Sequence, residues 1–263
     1  MKINMKKTIL KKPGGYCVSC IEQIPDPCKG IVIAVHGFSS SKECATYQVL
    51  LRKLPAAGLG MIGIDLPGHG RDESYLETLR IEACEESIAL AEKYICNAYP
   101  ALPIYYFGSS FGAYIIGLYI STREHTGRRT FFRSAAVNMP DLFIKENPSK
   151  EEQEKLRQLN ENGFFYYSLD DAHQPVRITQ GFYDDLAKND LFAIFDPARF
   201  GSNEIVMAHG LKDVVINPRK VEAFAQKYQI QIHFFENEGH SLGSSAETPD
   251  KVVDVAVQHF MRC

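Results

Sequence analysis

Short apolar, β-branched runs alternate along this chain with segments whose apolar residues recur every three or four positions, which predicts strands separated by helices. Runs at 7–11, 16–24, 30–35, 61–64, 103–107, 131–137, 204–208 and 231–235 read as strands. The first two flank Pro13-Gly14-Gly15, a turn signal, and are predicted to form an antiparallel hairpin. The later ones alternate with helical patterns, which calls for parallel strands joined by right-handed crossovers. A helix is expected over 45–54. Ile81, Cys84, Ile88, Ala91 and Ile95 mark one face of a long helix. Val221, Phe224, Ala225 and Tyr228 mark another, opened by Pro218, and Val252, Val255, Ala256 and Phe260 mark the last.

Residues 141–202 break this rhythm, being too long for a plain connection. Ser149-Lys150-Glu151-Glu152 is a capping-box pattern opening a charged helix that ends near Gly163. Phe164-Phe165-Tyr166-Tyr167 and Val176-Arg177-Ile178 then read as a hairpin around a polar turn at Asp170-Asp171, with a short helix over 180–186. The segment is expected to be a small cap inserted into a core formed by 1–140 and 203–263. It is rich in aromatics, including Phe182, Tyr183, Phe192 and Phe195. Most should dock the cap onto the core, and a few should line a pocket beneath it.

Gly108-Ser109-Ser110-Phe111-Gly112 lies between the apolar run at 103–107 and a second one at 113–120, an order that reads as strand, sharp turn and buried helix. A nucleophile elbow needs this setting, because the turn lifts one hydroxyl, here that of Ser110, above the end of the sheet. Gly108 and Gly112 would let strand and helix approach without side-chain clashes. A serine hydroxyl needs a base, and the base an orienting carboxylate. His240, in Glu238-Gly239-His240-Ser241 after the last strand, is the candidate base. Asp213, on the loop after the run at 204–208, is the preferred acid, and Asp141 the alternative. Backbone N–H groups of Phe38 and Phe111 are the candidate oxyanion donors. Asp65 and His69 are expected to shape a wall, with Asp65 bonding locally to backbone. His36 and His209 are explained by loop formation after their strands.

Composition narrows the classes. Charged residues make up 23% and apolar ones 45% of 263 residues, which fits one α/β domain with an insertion and excludes wholesale disorder. A net charge of −3 argues against a nucleic-acid partner. No run is long enough for a membrane span, and 1–15 lacks the features of a signal peptide, so a cytoplasmic location is expected. The seven cysteines are expected to be thiols. Cys17 and Cys20 form a C-x-x-C, but on a strand residues three apart point to opposite faces, and no second pair completes a zinc site.

Taken in order, His36-Gly37-Phe38, Asp65-Leu66-Pro67-Gly68-His69-Gly70, Gly108 to Gly112, His209-Gly210-Leu211-Lys212-Asp213 and Gly239-His240 resemble the α/β-hydrolase superfamily from about Gly30 onward. The chain is similar to its capped carboxylesterase, lipase and serine-aminopeptidase-like branch, with a cap similar to that of cinnamoyl (feruloyl) esterases. Ser109 departs from the larger residue, often histidine or glutamate, common before the nucleophile there. The resemblance implies an α/β fold with a mostly parallel eight-stranded sheet, helices on both faces and a small cap. It implies a serine carboxylester hydrolase acting through an acyl-enzyme on a small or medium ester, a hydroxycinnamoyl ester among the candidates. No cofactor or metal is expected, and a homodimer is compatible with the sequence. The alternatives are a serine aminopeptidase-like peptidase, a carbon–carbon hydrolase and a non-catalytic binding scaffold.

Overall fold

The computed structural model describes residues 5–168 and 174–262. The turn expected at Asp170-Asp171 lies outside them. Eight strands form one sheet: β1 (Lys6–Lys11), β2 (Cys17–Gln23), β3 (Ile31–Val35), β4 (Gly60–Ile64), β5 (Ile104–Ser109), β6 (Gly127–Arg133), β9 (Glu204–Gly210) and β10 (Gln231–Phe235). Their spatial order is β1-β2-β4-β3-β5-β6-β9-β10. The β1–β2 hairpin is antiparallel, as its turn sequence requires, and joins β4 antiparallel; the other pairings are parallel. Two further strands, β7 (Phe164–Tyr167) and β8 (Val176–Thr179), pair separately as the predicted hairpin.

Both faces of the sheet are covered, so its central strands are apolar throughout. In β3, Ile31, Ile33 and Val35 face one core, while Val32 and Ala34 face the other. Helices α1 (Ala45–Ala56) and α9 (Thr248–Phe260) close the second core through Tyr47, Leu50, Leu54, Val252, Ala256 and Phe260. Helices α2 (Ile81–Ala98), α3 (Phe111–Thr122) and α8 (Pro218–Lys227) cover the first. Nearly every residue of α3 is buried, because it crosses the middle of the sheet directly after β5.

Between β6 and β9 the chain adds α4 (Met139–Phe143), α5 (Lys150–Asn162), the β7–β8 hairpin, α6 (Gln180–Lys188) and α7 (Leu191–Ile194). Ser149 and Glu152 form the reciprocal capping box read from the sequence, and Gly163 at φ 78° ends α5.

One strand is displaced from its expected place. The apolar run at 131–137 suggested a strand there, but β6 occupies Gly127–Arg133. Ser134, at φ 48°, turns the chain out of extended geometry. Ala135, Ala136 and Val137 are buried because they pack in the loop beyond the strand end. At the other end Gly127 opens the strand against Tyr106, where any Cβ would lie 1.9 Å from the ring.

Candidate active site

Ser110 sits between β5 and α3 at φ 52° and ψ −113°, a strained conformation for a non-glycine residue. The flanking glycines are required by close packing. A Cβ on Gly112 would lie 2.2 Å from the Val35 carbonyl oxygen, and one on Gly108 would lie 2.5 Å from the Ala113 Cα. The turn leaves Ser110 partly exposed at the carboxyl ends of the parallel strands.

Three sequence candidates meet there. Ser110 Oγ is 2.9 Å from His240 Nε2, and His240 Nδ1 is 2.7 Å from Asp213 Oδ2. Asp213 is buried, and its Oδ1 accepts from the N–H groups of Val215 and Ile216 at 2.8 and 2.9 Å. Burial pushes its pKa up, but the hydrogen bond and charge of His240, with the Ile216 N–H, hold it below the usual carboxylate value. The alternative acid, Asp141, is exposed on α4, where it faces Lys220 at 3.6 Å and makes no bond to His240.

The loop carrying His240 is held from several sides. Ser134 Oγ donates to the His240 carbonyl at 2.7 Å. Buried Glu238 accepts from Ser244 N–H at 2.7 Å and from Thr248 Oγ1 at 2.6 Å, tying the loop to the start of α9. Gly210 lets the loop after β9 approach it, since a Cβ there would meet the Glu238 carbonyl oxygen at 2.3 Å.

The β3–α1 loop lies against the elbow, with the Gly37 Cβ position 3.3 Å from Ser110 Cβ. Phe111 opens α3, so its N–H is one of the donors a helix leaves unmatched in its first turn. The Phe38 and Phe111 rings meet edge-on with centroids 5.2 Å apart.

Two groups escaped the sequence reading. Asp65 was expected to bond locally. Instead its Oδ1 accepts from the Lys42 N–H at 2.5 Å and its Oδ2 pairs with Lys42 Nζ at 2.6 Å. The Lys42 ammonium is buried and pairs with Asp72 as well. Nothing in Ser39-Ser40-Ser41-Lys42 marks a lysine that folds inward. His209 does more than form a loop: its Nε2 is 3.2 Å from Asp213 Oδ2. Its place four residues before Asp213, just after an apolar run, was the available signal.

A cavity of about 310 Å³ opens above Ser110 and His240. Phe143, Phe165, Tyr167 and Tyr183 line it from the segment between β6 and β9, with Met139 and Leu142 beside them. Phe192 and Phe195 pack on Phe224 instead, as docking aromatics. On the α5 side, Glu151 and Glu152 also reach the cavity, each held by a lysine: Lys155 at 2.6 Å and Lys145 at 2.5 Å. Among the described residues no group of three or more His, Cys, Asp or Glu side chains could hold a metal ion. Cys17 and Cys20 are free thiols, and no described helix is long and apolar enough to cross a membrane.

Comparison with protein families matches residues 26–159 to the family described as serine aminopeptidase, S33. No curated protein matches the chain. Among solved structures, the ferulic-acid-bound Est1E of Butyrivibrio proteoclasticus superposes with a TM-score of 0.78 at 14% identity, covering 97% of this chain and 100% of Est1E. The esterase domain of a Rhodothermus marinus protein gives 0.70 at 14%, covering 98% of this chain and 99% of its own. The mouse alpha/beta hydrolase domain-containing protein 10 gives 0.72 at 13%, covering 95% and 97%. At these identities the likeness establishes the α/β-hydrolase fold.

Proposed function

The chain belongs to the serine aminopeptidase S33 family of α/β-hydrolases, and from that premise we propose that it is a serine carboxylester hydrolase. The observation that carries this reading is the continuous line from Ser110 Oγ through the His240 ring to buried Asp213, at 2.9 and 2.7 Å. In this reading His240 Nε2 takes the proton as Ser110 Oγ attacks the ester carbonyl. Asp213, at Nδ1, holds the tautomer that leaves Nε2 free to accept, and stabilises the imidazolium that forms. The N–H groups of Phe38 and Phe111 receive the oxyanion. His240 then protonates the departing alcohol, and a water repeats the sequence on the acyl-enzyme with His240 as base. The segment between β6 and β9 acts as the cap.

An ester fits the cavity better than an aminopeptidase substrate. A peptide amino terminus needs an unpaired carboxylate, yet Glu151 and Glu152 already face Lys155 and Lys145. Four aromatic side chains over the nucleophile suit a flat acyl group, and the similar structure of Est1E holds ferulic acid. Hydroxycinnamoyl esters are therefore the first substrates to try beside short-chain nitrophenyl esters. Hydrolysis that disappears in Ser110→Ala is the expected result. Retained turnover in that variant would remove the proposed nucleophile, and faster turnover of aminoacyl amides or diketones would favour a peptidase or a carbon–carbon hydrolase. A wild-type protein that a fluorophosphonate probe fails to label would be a binding scaffold.

A further inference from the structure

Arg133 closes β6 beside Ser109, its register partner at the end of β5. Its Nη1 donates to Ser109 Oγ at 2.8 Å, and its Nη2 donates to the Ser241 carbonyl oxygen. These acceptors flank the two reacting side chains: Ser109 precedes Ser110, and Ser241 follows His240. The same strand end braces both backbones again, since Ser110 N–H donates to the Arg133 carbonyl at 2.8 Å and Ser134 Oγ donates to the His240 carbonyl at 2.7 Å. The elbow and the histidine loop thus meet on one guanidinium although they lie 24 and 108 positions from it along the chain.

A guanidinium suits this task because it offers several donors in one rigid plane, whereas a lysine ammonium is a point charge on a flexible stem. Burial pushes the pKa of Arg133 down to about 10, against the charges of Asp213 and Glu238, so the group remains a cation at neutral pH. Both of these hydrogen bonds, to Ser109 and Ser241, go to neutral oxygens. A half-buried cation whose two hydrogen bonds go to neutral oxygens gains little for folding, which favours reading it as a device for placement.

We propose that Arg133 is a positioning residue that ties the nucleophile elbow to the histidine loop and thereby fixes the approach of His240 Nε2 to Ser110 Oγ. The proposal rests on reading those two residues as base and nucleophile. Arg133 does not line the cavity, so its influence falls on the chemical step and leaves substrate binding alone.

The test is steady-state hydrolysis of p-nitrophenyl butyrate by the wild type, Arg133→Met, Arg133→Lys, Ser109→Ala and the double variant Ser109→Ala/Arg133→Met. Arg129→Met, which removes an arginine paired with Glu204 at the far end of the same strand, serves as control and should match the wild type. Misplacing a reacting pair by about 1 Å can cost on the order of 100-fold, so Arg133→Met should lose about 10- to 100-fold in kcat while KM stays within about two-fold. Arg133→Lys should recover part of the loss, and the double variant should be no slower than Arg133→Met, since both changes cut one tie. A kcat within about two-fold of wild type, or a KM that rises by the factor kcat falls, would overturn the proposal. Hydrogen exchange of residues 236–245 gives a readout independent of turnover: faster exchange in Arg133→Met supports the tie, and unchanged exchange overturns it. If Arg133→Met fails to fold, Ser109→Ala decides by kcat: a fall with KM unchanged supports the tie, and a kcat within about two-fold of wild type overturns it. A wild type inert toward the ester would sink the proposed function, while the exchange comparison would still decide the tie.

Discussion

His209 Nε2 lies 3.2 Å from Asp213 Oδ2, the oxygen that also accepts from His240 Nδ1 at 2.7 Å. The same nitrogen of His209 lies 3.2 Å from the Ile216 carbonyl oxygen, which sets it as the protonated one. Burial pushes the pKa of His209 down, so it stays neutral and adds a donor without adding charge. His209→Leu should therefore leave Asp213 less firmly oriented and lower kcat by about 10-fold, with about 1–3 kcal/mol lost from stability as a buried acceptor goes unmatched. Asp213→Asn, which removes the charge and the tautomer control together, should cost on the order of 10³- to 10⁴-fold. Ester turnover and urea unfolding of the two variants check the contrast.

Gly112→Ala should not give a normal elbow. The added methyl would sit 2.2 Å from the Val35 carbonyl oxygen and 2.5 Å from that of His36, and backbone cannot rotate away as a side chain can. Overpacking against a central strand should cost about 3 kcal/mol or more. Thermal unfolding should show a large drop in midpoint, and recovery of soluble protein should fall with it.

Most of the frame was legible because it is written in local patterns. The elbow needs a glycine on each side of a serine between a strand and a buried helix, and Asp213 and His240 each follow an apolar strand on a loop. Those signals occupy a few adjacent residues. What escaped was decided by partners far along the chain. Lys42 is polar, stands among serines and faces Asp65 across 23 positions, so only folding reveals its burial. Residues 135–137 are as apolar as a strand, yet Ser134 turns the chain before them. The aromatics of 164–195 carry no mark separating Tyr183, on the cavity, from Phe195, packed on Phe224 and Tyr228.

Phe143 is the aromatic whose truncation should change acyl preference most cleanly. It lines the cavity and packs on Phe38, Phe182 and Tyr167 with ring centroids 5.5–5.6 Å away. Phe143→Ala should open the cavity above Ser110 and favour bulkier acyl groups. One methylene in an apolar pocket is worth about 10-fold or more, so the octanoate-to-acetate ratio of kcat/KM for nitrophenyl esters should rise by about 10-fold. An unchanged ratio would mean that Phe143 does not bound the acyl site.

Lys42 gives a stability prediction with an internal control. Burial opposes its charge, but Asp65 and Asp72, each at 2.6 Å, hold its pKa above the usual lysine value. Lys42→Met would leave Asp65 buried without its cation, which should cost about 3–5 kcal/mol. Asp72 is more than one-third exposed, so Asp72→Ala should cost under about 1 kcal/mol. Urea unfolding of both variants at neutral pH measures the difference. Equal losses would show that the exposed carboxylate carries the pair.

Acid should unfold this protein earlier than its carboxylates alone would. His36 and His69 are buried with ring centroids 5.2 Å apart. Burial lowers their pKa values from 6.5 to about 4 and about 3; the Lys42 charge adds to the shift at His36, and the His36 charge adds to it at His69. Their stabilising contribution is complete above pH 6.5, where both states are neutral. It is lost as pH falls from 6.5 toward 3–4, because the unfolded chain binds protons that the folded protein refuses. At about 1.4 kcal/mol per pKa unit, His36 accounts for about 3–4 kcal/mol and His69 for about 5 kcal/mol, less where the two titrate as a pair. The urea midpoint should therefore decline steeply between pH 6.5 and 4. His69→Gln keeps a polar side chain but does not titrate, so it should remove about one proton from the slope over the same window. An identical pH dependence in that variant would show that His69 is not refusing a proton in the folded state.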